Sequence, residues 1–338
     1  MKNNRNQHKV KSFLTIIFTV FAVALNAQET HKRTLKLMGS RFDITVVAQN
    51  KAEADIYIDV AVAEITRIEK LISSWDEHSQ TANINRNAGI KPVKVAKELY
   101  DLIERAVHIS KLTNGAFDIT YASMDRIWKF DGSVTEMPKA ELIKASVAKV
   151  GYQNIVLNTE EQTVFLKLKG MKIGFGAIGK GYAADKAKQL LKAKGVKAGI
   201  INASGDMNTW GTQTNGDDWK VGITNPMNKN NVFALLPISE KAVVTSGNYE
   251  KYIMLNGKRY SHIIDPRTGY PSSGIVSVSV FAPSAELADA LATSIFVMGK
   301  DVGLDFIDQL KGIECIIVDD KGKIVHSKNI DIQNKLKN

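Results

Sequence analysis

Gly174-Phe175-Gly176-Ala177-Ile178-Gly179-Lys180-Gly181 runs between a predicted strand and a predicted helix. Its glycines satisfy the dinucleotide pattern G-x-G-x-x-G, and the same residues nearly spell the phosphate loop G-x-x-x-x-G-K. Either motif would bring a doubly wound parallel sheet with it. Each fails at one residue type. The dinucleotide motif needs an acidic ribose partner about 20 residues on, and Lys194–Gly199 holds no carboxylate. The phosphate loop needs a Ser or Thr hydroxyl where this chain has Gly181. What survives is a cluster of free N–H groups, a lysine and a helix dipole suited to an anionic phosphate, with a merely tight strand-to-helix turn as the plain alternative.

The elements on either side favour an α+β fold of mixed, largely antiparallel sheets packed with helices, because strands come in runs between helices instead of alternating with them. Upstream, Thr34–Val47 reads as strands around the turn Met38-Gly39-Ser40, and Ala52–Ser73 has helical spacing of Ile56, Val60, Ala63, Ile65, Ile68 and Ile72. The Asn- and Ser-rich Ser73–Gly89 favours turns, and a second helix follows over Ala96–Thr113, closed by Asn114-Gly115. Val164–Ile173 reads as a strand pair, Lys180–Lys194 as a helix and Ala198–Asn202 as a strand that leads into the loop Ser204-Gly205-Asp206. Trp219–Ile223, Ala242–Thr245, Lys258–Ile264 and Gly274–Phe281 read as strands, Ser284–Val297 as the last long helix, and Glu314–Val318 with Lys323–His326 as a closing hairpin.

The 338 residues are 44% hydrophobic and 24% charged, enough to bury a large core without a disordered composition. The formal charge of +10 invites a nucleic-acid partner, but four of the 45 basic side chains (Lys2, Arg5, Lys9, Lys11) sit in a leader without acids. Residues 28–338 therefore carry 41 basic against 35 acidic groups, spread without an Arg-rich stripe, so no nucleic acid is expected. The leader has a basic start, the apolar run Phe13–Leu25 and small residues near Leu25-Asn26-Ala27. We read residues 1–27 as a signal peptide, residues 28–338 as one domain, and the protein as exported to a periplasm, tethered to the inner membrane if the leader stays uncut. The one cysteine, Cys315, lies in a strand-like apolar run and reads as an inert core residue.

On the helix Ser284–Val297, Asp289 and Thr293 are four apart and share a face that Ala290, Ala292, Phe296 and Val297 surround with apolar groups. A buried carboxylate must be paired or coordinated. Asp with Thr offers two hard oxygens suited to magnesium; an ion pair with a lysine is the alternative. His262, in Tyr260-Ser261-His262-Ile263-Ile264-Asp265-Pro266-Arg267-Thr268-Gly269, could act as a base, a ligand or a structural donor. The loops Thr245-Ser246-Gly247-Asn248-Tyr249 and Asn114-Gly115-Ala116-Phe117-Asp118 could line a ligand. Zinc patterns and a G-x-S-x-G elbow are missing from the sequence, which removes zinc hydrolases and serine hydrolases of that type.

Taken in order, eight blocks resemble the ApbE family of FAD:protein FMN transferases: Met38-Gly39-Ser40, Ser74-Trp75-Asp76, Gly115–Asp118, Gly176–Asp185, Gly205-Asp206, Thr245–Tyr249, His262–Gly269 and Ala288–Thr293. The resemblance implies an ApbE-like (T-fold-like) architecture and transfer of the FMN half of FAD to a Thr or Ser hydroxyl of a partner protein, with release of AMP. It implies that Met38, Trp75, Ala116, Phe117, Asp118, Lys180 and Ile264 contact FAD, and that the carbonyl of Ala177 with Asp289 and Thr293 holds Mg2+. His262 and Asp289 are the candidate bases. The implied partners are acceptor flavoprotein subunits of membrane redox pumps. Two positions depart from many relatives, Gly174 in place of Asp and Ala292 in place of a second carboxylate, so the metal would rely more on water. A non-enzymatic periplasmic FAD carrier is the rival reading, and a nicotinamide-dependent oxidoreductase a second.

Overall fold

The first hairpin turns on two residues. Strands β1 (Glu29–Leu37) and β2 (Ser40–Ala48) pair antiparallel up to Leu37 opposite Ser40. Met38 and Gly39 between them both take positive φ, +50° and +70°, the backbone a two-residue hairpin turn needs to match the twist of its strands. The computed structural model describes residues 28–224, 232–248 and 251–330; the leader and Tyr249 lie outside them.

Helix α1 (Lys51–Ile72) starts at Asn50, whose side chain accepts the Glu53 N–H. It buries Ala54, Ile58, Ala61, Ile65, Ile68 and Ile72 as one stripe at alternating spacings of four and three. Next come α2 (Gln80–Arg86), β3 (Val93–Lys94), α3 (Lys97–Leu112), α4 (Ala140–Ser146), β4 (Ile155–Asn158) and β5 (Thr163–Leu166). The glycine loop then feeds α5 (Gly179–Ala193), followed by β6 (Gly199–Ala203), β7 (Asp206–Trp210), β8 (Trp219–Thr224), β9 (Val232–Ile238) and β10 (Ala242–Gly247). The chain closes with β11 (Tyr252–Leu255), β12 (Lys258–Ser261), β13 (Ile275–Ala282), α6 (Ala285–Met298), α7 (Lys300–Ile307), β14 (Glu314–Asp319) and β15 (Ile324–His326).

Eight strands form the main sheet in the order β1-β2-β6-β7-β10-β13-β14-β15, and every pairing in it is antiparallel. A doubly wound parallel sheet is thereby excluded and the α+β expectation holds. Helices α1, α5 and α6 cover one face, where Val244, Val280, Cys315 and Ile317 join the large core. Their neighbours Val243, Phe281 and Ile316 point the other way, onto the β8–β9 hairpin. Strand β13 is consequently buried at every position. Cys315 is fully buried and its thiol pKa is pushed up to about 12 by burial, as befits an inert core residue.

Four expectations need correction. The buried stripe of α1 enters through Ala54, Ile58 and Ala61 in place of Ile56, Val60 and Ala63, and Ile56 is 63% exposed, because the face set by Ile65, Ile68 and Ile72 in steps of three and four runs back through Ala61 and Ile58. Val164–Ile173 is not a strand pair: only β5 is extended, and its partners are β3 and β4. The apolar residues Met171 and Ile173 are fully buried as expected, but side chains satisfy the backbone there. Asn85 bonds both the N–H and the carbonyl of Ile173, at 2.8 and 3.0 Å, and the Ser123 hydroxyl does the same for Lys172, at 2.7 and 2.8 Å. Ser73–Gly89 contains α2, because the Ser79 side chain accepts the Ala82 N–H and Thr81, Ala82 and Ile84 find a core to enter. Lys258–Ile264 ends as a strand at Ser261, and Ile264 makes only an isolated bridge to Pro271.

Candidate active site

Gly181 explains why the glycine loop is no phosphate loop. A Cβ at that position would lie 2.2 Å from the Ala285 carbonyl oxygen, so the first turn of α5 packs directly on the start of α6 and leaves no room for a hydroxyl. The same contact brings the loop to Asp289: the Gly181 N–H points at Asp289 Oδ2 across 3.4 Å. Two motifs separated by more than a hundred residues thus share one cavity of about 1350 Å³. Its volume is above the range of about 300–1,000 Å³ usual for small-molecule sites and suits a long ligand.

The cavity is lined by Gly174–Ala177 and Lys180 from the loop, Asp289 and Thr293 from α6, Asp206 from β7, and Thr245–Gly247 from the end of β10. Ala116, Phe117, Asp118 and Tyr121 line it too, together with Ser74, Trp75, Arg126, His262 and Ile264. Every residue given a catalytic, metal or FAD-contact role lines the cavity except Met38; of the two candidate loops, Ala116–Asp118 and Thr245–Gly247 line it, while Asn114, Gly115 and Asn248 do not. Met38 stays in the hairpin turn, where its N–H donates to Glu69 Oε2 at 3.2 Å and its methyl lies near Gly179.

Charge in the cavity is unbalanced. Lys180 forms an ion pair with Asp206, so the lysine that could have neutralised Asp289 is already engaged. Asp206 and Asp289 are 2% and 4% exposed, and two buried carboxylates share one ammonium. Burial first, then the Asp289 charge, push the Asp206 pKa up, with Lys180 opposing. Burial likewise raises that of Asp289 against the Lys180 charge. The Lys180 pKa is raised despite burial by the charges of Asp289 and Asp206, so it stays an ammonium.

Other side chains have narrower offices. Oδ1 of Asp118 accepts from its own loop, from Thr120 N and Oγ1 at 2.8 and 2.6 Å, and Oδ2 accepts from Tyr152 N, 34 residues away, at 2.8 Å. The carboxylate therefore holds the Ala116–Asp118 loop in shape. His262 lines the cavity and keeps an exposed ring, and partial desolvation by its surroundings holds its pKa below the ordinary 6.5. Its Nδ1 lies 3.1 Å from the Lys251 carbonyl oxygen. A carbonyl can only accept, so Nδ1 carries the proton and Nε2 keeps its lone pair. At the rim Trp75 is 80% exposed, with the Arg126 guanidinium 4.9 Å from its ring centre.

Among the lining residues without a role in the sequence reading, Asp206, Tyr121 and Arg126 bring chemistry to the cavity. Asp206 opens β7, a strand not expected from the sequence, and its buried carboxylate must find a partner. Nothing local in the sequence marks the other two.

The chain matches the sequence profile of the ApbE family over residues 38–317. The chain belongs to the ApbE family. A relative from Klebsiella pneumoniae (strain 342), named FAD:protein FMN transferase, is 31% identical over 293 residues, which cover 86% of this chain and 90% of that protein. Among solved structures, the ApbE protein of Thermotoga maritima superposes with a TM-score of 0.79 at 33% identity, covering 89% of this chain and 97% of the other. The apo form of the flavinyl transferase ApbE from Pseudomonas stutzeri gives 0.79 at 25% identity, covering 89% and 95%.

ApbE membership makes the magnesium question concrete. Among the described residues no group of three or more His, Cys, Asp and Glu could hold a metal ion. The expected donor set is one carboxylate, the Thr293 hydroxyl and the Ala177 carbonyl, and all three residues line the same cavity. Asp289 is the deciding observation: a buried carboxylate whose one hydrogen bond among the described residues is the long contact from Gly181. Few protein oxygens with several waters or phosphate oxygens is the pattern magnesium prefers, so the residues fit it.

Proposed function

We propose that this ApbE protein transfers the FMN moiety of FAD to a Thr or Ser hydroxyl of a partner protein, with release of AMP and with a requirement for Mg2+. The observation that carries the reading is the shared cavity, in which a helix N-terminus with its lysine faces an under-satisfied carboxylate and a hydroxyl from α6. The N–H groups at the start of α5 and the Lys180 ammonium bind and orient the pyrophosphate. Asp206 keeps the Lys180 side chain from swinging away. Asp289, Thr293 and the Ala177 carbonyl would hold Mg2+, which when bound supplies neutralisation of charge on the pyrophosphate.

In the reaction the acceptor hydroxyl oxygen forms a bond to the phosphorus on the FMN side, and the bond from that phosphorus to the bridging oxygen breaks. AMP leaves with the bridging oxygen. The hydroxyl proton goes to Nε2 of His262. His262 is the better base because it is neutral and has a free lone pair, whereas Asp289 is buried and belongs to the metal set. Trp75, the Ala116–Asp118 loop and Ile264 supply contact surface for the flavin nucleotide.

The implied acceptors are flavoprotein subunits of membrane redox pumps, and the leader at residues 1–27 would deliver the enzyme to a periplasm, free or tethered. Incubation of the purified chain with FAD, Mg2+ and a candidate acceptor tests the reading. Flavin fluorescence that survives a denaturing gel, with AMP in the supernatant, is the expected result. Tight FAD binding without either would instead make the protein a carrier.

A further inference from the structure

Asp185 closes the motif Gly176–Asp185 and reaches neither the cavity nor any group used above. It lies one turn after Gly181 on α5, and its carboxylate takes the first two N–H groups of α6: Ala285 N on Oδ1 at 2.9 Å and Glu286 N on Oδ2 at 2.8 Å. One turn further along α6, Asp289 accepts from Gly181 of α5. The two helices are thus locked at two points one turn apart, each a backbone N–H of one helix on a carboxylate of the other. Ordinary capping does not require this, since Ser284 already caps α6 locally by accepting the Leu287 N–H at 3.3 Å.

Asp185 is itself held. The Asn208 side-chain amide donates to it, while Lys188 Nζ donates to Asn208 Oδ1 at 3.0 Å and to the Thr209 carbonyl at 2.7 Å. Asn208 belongs to β7, the strand that opens with Asp206. One buried carboxylate therefore ties together α5, α6 and β7, the three elements that carry Lys180, Asp289 and Asp206.

We infer that Asp185 is a positioning residue for the transfer reaction. It sets the axial register of α6 against the glycine loop and so fixes where the Asp289 carboxylate and the Thr293 hydroxyl stand. The inference rests on the function proposed above.

The test compares the full-length wild type with Asp185→Asn and Asp185→Ala, and with Leu236→Ala as a control. Leu236 is buried on the other face of the main sheet, so its truncation destabilises the protein away from the cavity. Orienting groups behind metal ligands typically influence metal affinity or activity by about 10- to 100-fold. The magnesium concentration for half-maximal transfer should rise by that amount in the Asp185 variants while KM for FAD stays near wild type. Without catalysis, the increment that Mg2+ adds to the melting temperature of the FAD complex should shrink in the same variants. Leu236→Ala should lose melting temperature but keep the magnesium response. Should Asp185→Ala not fold, Asp185→Asn, which preserves shape, carries the comparison. Equal magnesium dependence in the Asp185 variants and Leu236→Ala would overturn the inference. A wild type indifferent to magnesium would show up separately, and would remove the proposed metal role and this inference with it.

Discussion

Replacing Asp289 by Asn should stop the chemistry and stabilise the metal-free protein. Asp289 and Asp206 crowd a single ammonium, and Asp206 has its pKa pushed up to about 7 from 3.8. Burial is the largest cause and the Asp289 charge the next, so neutralising Asp289 should recover roughly 1–2 kcal/mol above neutrality. In a chain of this size that is a rise in Tm of roughly 2–4 °C. The sign follows from the raised pKa. Asp206 contributes its full stability below the unfolded pKa near 3.8 and loses it as pH rises through about 7. Wild type should therefore lose melting temperature between pH 5 and pH 8 in EDTA, Asp289→Asn should lose less, and the two curves should converge toward acid. Magnesium with FAD should raise the wild-type curve and leave the variant unmoved, and transfer should be abolished while part of the FAD affinity remains. A variant that melts lower than wild type by the same margin at every pH, or that still transfers FMN, would refute the shared-ammonium reasoning.

His262→Gln should lower kcat by about 10²- to 10⁴-fold, the usual share of a general base. The wild-type rate should fall as pH drops through a value below 6.5, where the imidazole gains its proton, and the variant should lack that acidic limb. Trp75→Ala should leave stability within roughly 0.5 kcal/mol because the ring is exposed, yet weaken FAD binding by about five- to tenfold as one aromatic contact is lost, measurable by fluorescence titration. Gly181→Ala should cost about 1–3 kcal/mol in chemical denaturation, since its methyl meets backbone at Ala285 and not a side chain that can turn aside.

Much of this architecture was legible because local rules carried it. Helix α1, the turn at Met38-Gly39 and the last long helix α6 are each written in neighbouring residues, although only the Ile65, Ile68 and Ile72 half of the α1 stripe lay where the spacing put it. Elements whose partners lie far off in sequence were not. Met171 and Ile173 look like strand because they are buried, but Asn85, 88 residues away from Ile173, supplies the bonds a neighbouring strand would make. Strands β7 and β9 and helices α4 and α7 went unread, as did the short β3, β4 and β11, because little in their own few residues sets them apart from loop. At the site, helical spacing revealed that Asp289 needs a partner, and could not reveal that Lys180 would be taken by Asp206, 26 residues along the chain.

A crystal structure of the chain with FAD and Mg2+ would probe the shared cavity most directly. The expected density places a magnesium ion on Asp289, Thr293 and the Ala177 carbonyl, touching the FAD pyrophosphate at the N-terminus of α5. Pyrophosphate bound away from the glycine loop, or a metal that ignores Asp289, would contradict the proposed chemistry.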